Sequence, residues 1–170
     1  MKKLILFVAF LGLVSCSSDD NGGSSVNNGD IVGSWRLTAL TYGGATVISQ
    51  GGQSITTNFN AVGTEFFNST LTFNENGTFE SEGDGYMVDY TMEMMGQEIT
   101  QEMFVGSFFQ NGNWEANGNT ITFFSPSTDP VDYNVVELNE TTLRLTIEDL
   151  VIPVNGGQST MSSDMTLTRL

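Results

Sequence analysis

The chain has 170 residues, with 20 acidic and five basic side chains and a net charge of −15 at pH 7. A protein this acidic repels nucleic acid and anionic membrane surfaces, so binding to either through charge is excluded. The sequence contains no histidine and one cysteine. The commonest general base and the usual metal ligands are therefore scarce, which argues against many enzyme classes.

The first residues predict an exported protein that is held at a membrane by a lipid. Lys2 and Lys3 precede an apolar run at residues 4–14, which is shorter than the roughly 20 residues that span a bilayer. This layout is typical of a signal peptide, here residues 1–15. The Leu-Val-Ser-Cys sequence at its end resembles the bacterial lipobox, which implies a lipid such as palmitate on Cys16. An ordinary secreted protein is the alternative.

Residues 16–30 predict the lipidated cysteine followed by a flexible linker. Ser, Asn, Asp and Gly dominate this segment, and such a composition buries too little apolar surface to fold. The Ser-Ser-Asp-Asp sequence at residues 17–20 resembles the export signals of Bacteroidota lipoproteins, which implies the outer membrane and exposure at the cell surface. Its periplasmic face is the alternative. Because cleavage removes both lysines, attachment to the membrane would depend on the lipid.

Alternation of apolar and polar residues predicts an all-β domain over residues 31–170. The first strand places Ile31, Gly33, Trp35, Leu37 and Ala39 on one face. Asn-Gly pairs, which favour the positive φ angles of hairpin turns, separate several of the later segments. The remaining strands are predicted at residues 69–73, 78–81, 86–94, 99–109, 121–123, 131–135, 143–147 and 165–169.

These strands, about eight to ten in all, are joined mostly by short turns and predict an antiparallel up-and-down meander. Such a sheet either exposes its edges or closes on itself, and no long helical pattern is available to cover a face. The sequence therefore favours a β-barrel. A two-sheet sandwich is the alternative, because alternation alone does not distinguish the two.

The segment Gly33-Ser34-Trp35 resembles the Gly-x-Trp motif of lipocalins. This resemblance covers roughly residues 31–170 and implies a lipocalin-like β-barrel whose narrow end is closed by Trp35. An arginine of the last strand packs across that tryptophan in the family, and Arg169 stands at the matching place. With its leader, the chain resembles the lipocalin-like lipoproteins of Bacteroidota. It departs from the family in lacking an evident middle motif and in its long hairpin at residues 86–109.

Methionines and aromatic residues are concentrated in that hairpin, and they suggest a binding surface, since methionine adapts to varied apolar shapes. If the barrel is open at one end, Tyr90, Met92, Met94 and Met103 could line a cavity for a small apolar ligand. Such a cavity would need roughly 300 Å³ or more. Ordinary core packing is the alternative, since barrels of eight strands are often filled by side chains.

Two other functions are alternatives to ligand binding. A non-enzymatic surface or assembly module could contact another protein through the hairpin at residues 86–109, which requires an exposed apolar patch. A hydrolase would need carboxylates that converge in one pocket, and no motif indicates one. We therefore expect no enzyme activity, catalytic residue, metal or cofactor. The expected partners are the membrane, through the lipid, and an apolar ligand; we expect a monomer that binds no nucleic acid.

Overall fold

The computed structural model describes residues 26–106, 109–126 and 128–170. The predicted signal peptide, Cys16 and residues 17–25 lie outside the described residues. Within the described part, the chain forms a four-residue helix and eleven strands. These are α1 (Asn28–Ile31), β1 (Gly33–Gln50), β2 (Gln53–Phe66), β3 (Thr70–Phe73), β4 (Thr78–Glu82), β5 (Tyr86–Met94), β6 (Gln97–Val105), β7 (Gly112–Asn117), β8 (Thr120–Phe124), β9 (Val131–Leu138), β10 (Thr142–Val154) and β11 (Gly157–Arg169).

Eight of these strands close an antiparallel barrel, which confirms the predicted fold class. The order around the ring is β1-β3-β4-β7-β8-β9-β10-β11, and β11 returns to pair with β1. In the closing pair, Trp35 lies opposite Arg169. When β2 and the β5–β6 hairpin are left out, each strand in the ring is next to its neighbour along the chain. The ring itself is therefore an up-and-down meander, as its short turns predict.

The other three strands form a sheet that leaves the ring along β1. Residues 33–36 of this long strand pair with β3, whereas residues 41–50 pair with β2. β2 then pairs with β5, and β5 pairs with β6. Residues 150–154 of β10 and 157–161 of β11 continue the same sheet on the other side of β1. We call β2, β5, β6 and these three segments of β1, β10 and β11 the extension.

The ring is filled by apolar side chains, many of them aromatic. The ring centroids of Phe79 and Phe123 are 5.0 Å apart, and those of Phe123 and Tyr133 are 5.3 Å apart. Phe73 and Trp114 meet edge to face at 5.2 Å. Edge-to-face pairs of this kind add about 0.5–1.5 kcal/mol each beyond the area that they bury. The centre of the barrel is thus a packed aromatic core.

The first strand differs from its prediction in one detail. A β-bulge between Leu37 and Ala39 shifts the register of β1 against β11. Because one extra residue in a strand reverses the direction of the side chains that follow, Ala39 is exposed and Leu40 is buried. The predicted alternation therefore holds as far as Leu37 and is wrong at Ala39.

The end of the predicted linker is also ordered. Val26 donates its backbone N–H to the carbonyl oxygen of Gly118 at 2.9 Å and packs against the core. Ile31, which the alternation places in the first strand, is the last residue of α1 and is fully buried. Residues 26–30 thus belong to the folded domain, because these two apolar side chains bury surface that the polar residues around them cannot.

Candidate functional site: the Trp35 end and the inner face of the extension

Trp35 is fully buried and is covered by a cation. Its Nε1 donates a hydrogen bond to the carbonyl oxygen of Ile31 at 2.8 Å. The guanidinium carbon of Arg169 lies 4.1 Å from the centroid of the indole ring. This distance is well within the range at which a guanidinium and an indole attract each other.

Three backbone carbonyls hold Arg169 in this position. Its Nη1 donates to the oxygen of Val32 at 2.9 Å, its Nε donates to that of Glu140 at 3.1 Å, and its Nη2 donates to that of Asp30. Gly33, with φ at +130°, leaves room for this arrangement, since a Cβ atom there would lie 2.9 Å from Nη1. Both the positive φ angle and the closeness of Arg169 therefore favour glycine at this position of the Gly-x-Trp segment.

The four tyrosines of the chain are neighbours in space and lead from the extension into the core, in the order Tyr90, Tyr42, Tyr86 and Tyr133. We call them the tyrosine row. Burial, and then the neighbouring Tyr90, raise the pKa of Tyr42. Burial and Tyr42 raise the pKa of Tyr86 to about 12. Burial also raises the pKa of Tyr133, and a hydrogen bond with Ser163 offsets part of this increase. The hydroxyls of Tyr42, Tyr86 and Tyr133 therefore keep their protons at neutral pH.

The four predicted ligand residues lie on one face of β5 and β6. Tyr90, Met92 and Met94 alternate along β5, and Met103 of β6 lies opposite Val88. Directly opposite residues of an antiparallel pair point to the same side of the sheet. Tyr90 and Met92 are half-buried, whereas Met94 is 45% exposed and Met103 is 39% exposed. The four are thus on the open extension and do not line a cavity inside the barrel, because their strands lie outside the ring.

Other apolar residues share this side of the sheet, which we call the inner face because it continues the core side of the barrel. Phe59 of β2 lies opposite Met92, and its ring is 6.4 Å from that of Tyr90. The exposed large apolar residues of the inner face are Ile48, Ile55, Met94, Ile99, Met103 and Ile152. The inner face therefore begins at the tyrosine row and exposes these apolar side chains. It also carries a row of hydroxyls, from Ser159, Thr46 and Thr57, between Ile152 and Met94.

The sequence prediction missed β2 and, with it, the contribution of Ile55 and Phe59 to this surface. The Gly51-Gly52 pair was a signal in the sequence for a hairpin turn. The two segments that flank it pair residue by residue, from Gln50 opposite Gln53 to Thr41 opposite Val62. Both glycines have positive φ angles, as a two-residue hairpin turn requires. The polar content of the strand, which is rich in Thr and Asn, hides it from a search for apolar alternation.

Three clefts are found in the described part of the molecule. One of about 750 Å³ is beside Arg169, one of about 980 Å³ is beside Trp114, and one of about 400 Å³ is beside Tyr42 and Ser163. None of these three is lined by the predicted ligand residues, which are Tyr90, Met92, Met94 and Met103. The internal apolar cavity that the ligand hypothesis required is thus not among them.

Within the described ranges, no group of three acidic side chains is close enough to hold a metal ion. No helix of the described residues has the length and apolar character needed to cross a membrane.

Comparison with known families agrees with this geometry. The family model of the lipocalin-like domain matches residues 31–145, which is more than half of the chain. The chain belongs to the lipocalin-like family. No curated protein and no solved structure gives a significant match. The lipocalin-like fold is generally a non-enzymatic binding fold, so the chain carries a domain of a ligand-binding type.

Proposed function

We propose that this protein is a lipid-anchored, lipocalin-like binding protein that holds a small apolar ligand at the bacterial cell surface. The observation that supports the ligand is the inner face of the extension, where six large apolar residues are exposed on the same side of the sheet. Exposed apolar residues grouped on one surface mark interaction sites. The barrel centre is packed with aromatic rings, so the extension is the better place for a ligand.

The chemistry of the inner face narrows the ligand class. Phe59 and Met92 offer flat and adaptable apolar contacts, and Tyr42 adds a neutral hydroxyl at the barrel end of the face. Neutral hydroxyls donate hydrogen bonds to carbonyl or ether oxygens. The strong negative charge of the chain disfavours an anionic ligand. The site therefore fits an elongated apolar molecule with an uncharged acceptor at one end.

A neutral apolar fluorophore, N-phenyl-1-naphthylamine, tests this proposal on the full chain in solution. The double variant Met94→Gln/Met103→Gln removes apolar surface from the inner face, and we expect it to weaken binding by roughly tenfold. The control Met87→Gln/Met95→Gln changes methionines on the outer face and at the hairpin turn, and it should bind as the native chain does. Equal losses in both variants, or no binding by the native chain, would contradict the proposal.

Contact with another protein through the hairpin at residues 86–109 is a second candidate function. It is favoured by the exposure of the hairpin, in which Met95 is 80% exposed and Phe104 is 58% exposed. These residues do not lie on the inner face, since Met95 is in the turn and Phe104 is opposite Met87. Met95 and Phe104 can therefore be tested separately from the residues of the inner face.

The lipid anchor of the proposal is supported by the leader sequence. Cys16 follows a signal-like segment at residues 1–15 and precedes an acidic polar stretch. The first described residue, Val26, is already docked on the barrel, so the tether between lipid and domain would be short. A short tether would keep the barrel close to the outer membrane surface.

A further inference from the structure

β6 is an open edge of the sheet. Among the described strands it pairs only with β5, and every residue from Gln97 to Phe104 is exposed. An edge strand directs unpaired N–H and C=O groups away from the sheet, and an added strand can pair with them. Proline, charged side chains or a bulge commonly blocks such pairing. β6 has no proline and no bulge in its register with β5, and its only charges are the carboxylates of Glu98 and Glu102.

The outer face beside this edge is strongly acidic. Glu93 of β5 lies directly opposite Glu98 of β6, and Asp89 lies directly opposite Glu102. Like charges that face each other across two strands are destabilising. The strands and segments that make up the extension contain no lysine or arginine, so no basic residue of the extension compensates these four carboxylates.

We propose that β6 is the docking edge for an extended segment of a partner protein that carries lysine or arginine at alternate positions. Cationic side chains on the outer face of an added strand would lie next to Glu98 and Glu102. They would reduce the repulsion of these two carboxylates with the acidic residues opposite them on β5. On the inner face, its other side chains would lie next to Ile99 and Met103. The occupant is therefore a strand that alternates basic and apolar residues.

Two other occupants fit this edge less well. In a second copy of this chain, antiparallel pairing centred on Thr100 places Glu98 of one copy opposite Glu102 of the other, which adds like charges to an acidic face. The segment at residues 17–25 of this chain contains two aspartates and no basic residue. A basic partner is the occupant that charge complementarity favours.

This inference rests on the second candidate function, contact through the hairpin. The added strand would border the inner face at Ile99 and Met103, so its test uses changes at Glu98 and Glu102 on the outer face, which the ligand proposal does not involve. Its test uses the full lipidated chain in non-ionic detergent and a capped peptide, as long as β6, that alternates lysine and valine. Two comparison peptides replace lysine by glutamate or carry N-methyl groups that block pairing. We expect the lysine–valine peptide to bind, to slow hydrogen exchange at Gln97–Val105, and to bind about tenfold more tightly than either comparison peptide.

Two matched double variants test whether the carboxylates of β6 attract the basic peptide. Glu98→Gln/Glu102→Gln should weaken binding of the lysine–valine peptide by about tenfold. Glu115→Gln/Glu148→Gln, which changes two exposed carboxylates off the extension, should leave binding unchanged. Equal loss in both variants, or equal binding of the N-methylated peptide, would overturn the inference. If the glutamate peptide bound instead, the hairpin would still be a contact surface and the basic partner would be wrong. A stable dimer that the peptide does not displace would also overturn it.

Discussion

At the scale of single residues, the clearest arrangement is the group formed by Gly33, Trp35 and Arg169. The indole is buried beneath the guanidinium, and the glycine makes room for it. A Cβ atom at Gly33 would press on the arginine, and the arginine in turn covers the indole. The resemblance to lipocalins implies a role for this pair in closing the barrel, and the role can be measured.

Replacement of Arg169 by alanine tests that role. The variant loses the contact with Trp35 and three hydrogen bonds to backbone carbonyls. We expect the free energy of unfolding to fall by about 2 kcal/mol, as measured by urea denaturation followed by tryptophan fluorescence. Arg36→Ala is the control, because Arg36 is exposed and surface changes of this kind shift stability by less than about 0.5 kcal/mol. A loss no larger than that of the control would show that the contact is unimportant.

At the scale of the strands, the narrowest seam of the barrel is the pairing of β4 with β7. It consists of Thr78 opposite Asn113 and Phe79 opposite Gly112. Along the chain, the β5–β6 hairpin lies between these two strands, so no short turn connects them. Two further hydrogen bonds join this region, since Trp114 N–H donates to the carbonyl oxygen of Gly77 and Ser81 N–H donates to Oδ1 of Asn111, each at 2.8 Å. With so few pairs, close packing also stabilises the seam, so the space at Gly112 is important.

Gly112→Ala should open this seam. An added Cβ would overlap the carbonyl oxygen of Phe124 and press on the ring of Phe79 at 3.1 Å. We expect a loss of about 2 kcal/mol in unfolding free energy, measured by far-UV circular dichroism in urea. Gly29→Ala is the matched control, since a Cβ there meets nothing within 4 Å and alanine favours a helical turn by up to about 1 kcal/mol. Equal stability of the two variants would refute the importance of the seam.

The strands also show which parts of the candidate site the sequence could predict. Tyr90, Met92 and Met94 share a face because side chains alternate along any strand. Met103 joins them because the turn at Met95-Gly96, which follows the predicted strand at residues 86–94, sets the register of the hairpin. Phe59 could not be predicted, since it reaches the site through pairing of strands that are distant along the chain.

At the scale of the whole molecule, the domain combines a packed barrel, an open extension and, in our proposal, a lipid at Cys16. The acidic surface repels anionic membranes. Attachment would then depend on the acyl chains alone, while the inner face of the extension stays available for a ligand.

A single substitution tests the anchor. In a bacterial host that exports lipoproteins, we expect Cys16→Ser to lose incorporation of labelled palmitate and to shift the protein from the membrane fraction to the soluble fraction. Ser17→Ala keeps the cysteine and should stay labelled and membrane-bound. Protease treatment of intact cells then separates surface exposure from the periplasmic face. Labelling that persists without Cys16 would contradict the proposed site.

The sequence by itself determined that the domain is all-β, where most turns lie and which residues alternate along each strand, because these features depend on neighbouring residues. Only the tertiary structure decided that β2, β5 and β6 leave the ring. It also decided that the tyrosine row meets across distant strands and that the predicted ligand residues lie on an open face. Pairing between distant strands depends on the whole chain, and alternation within one strand does not encode it.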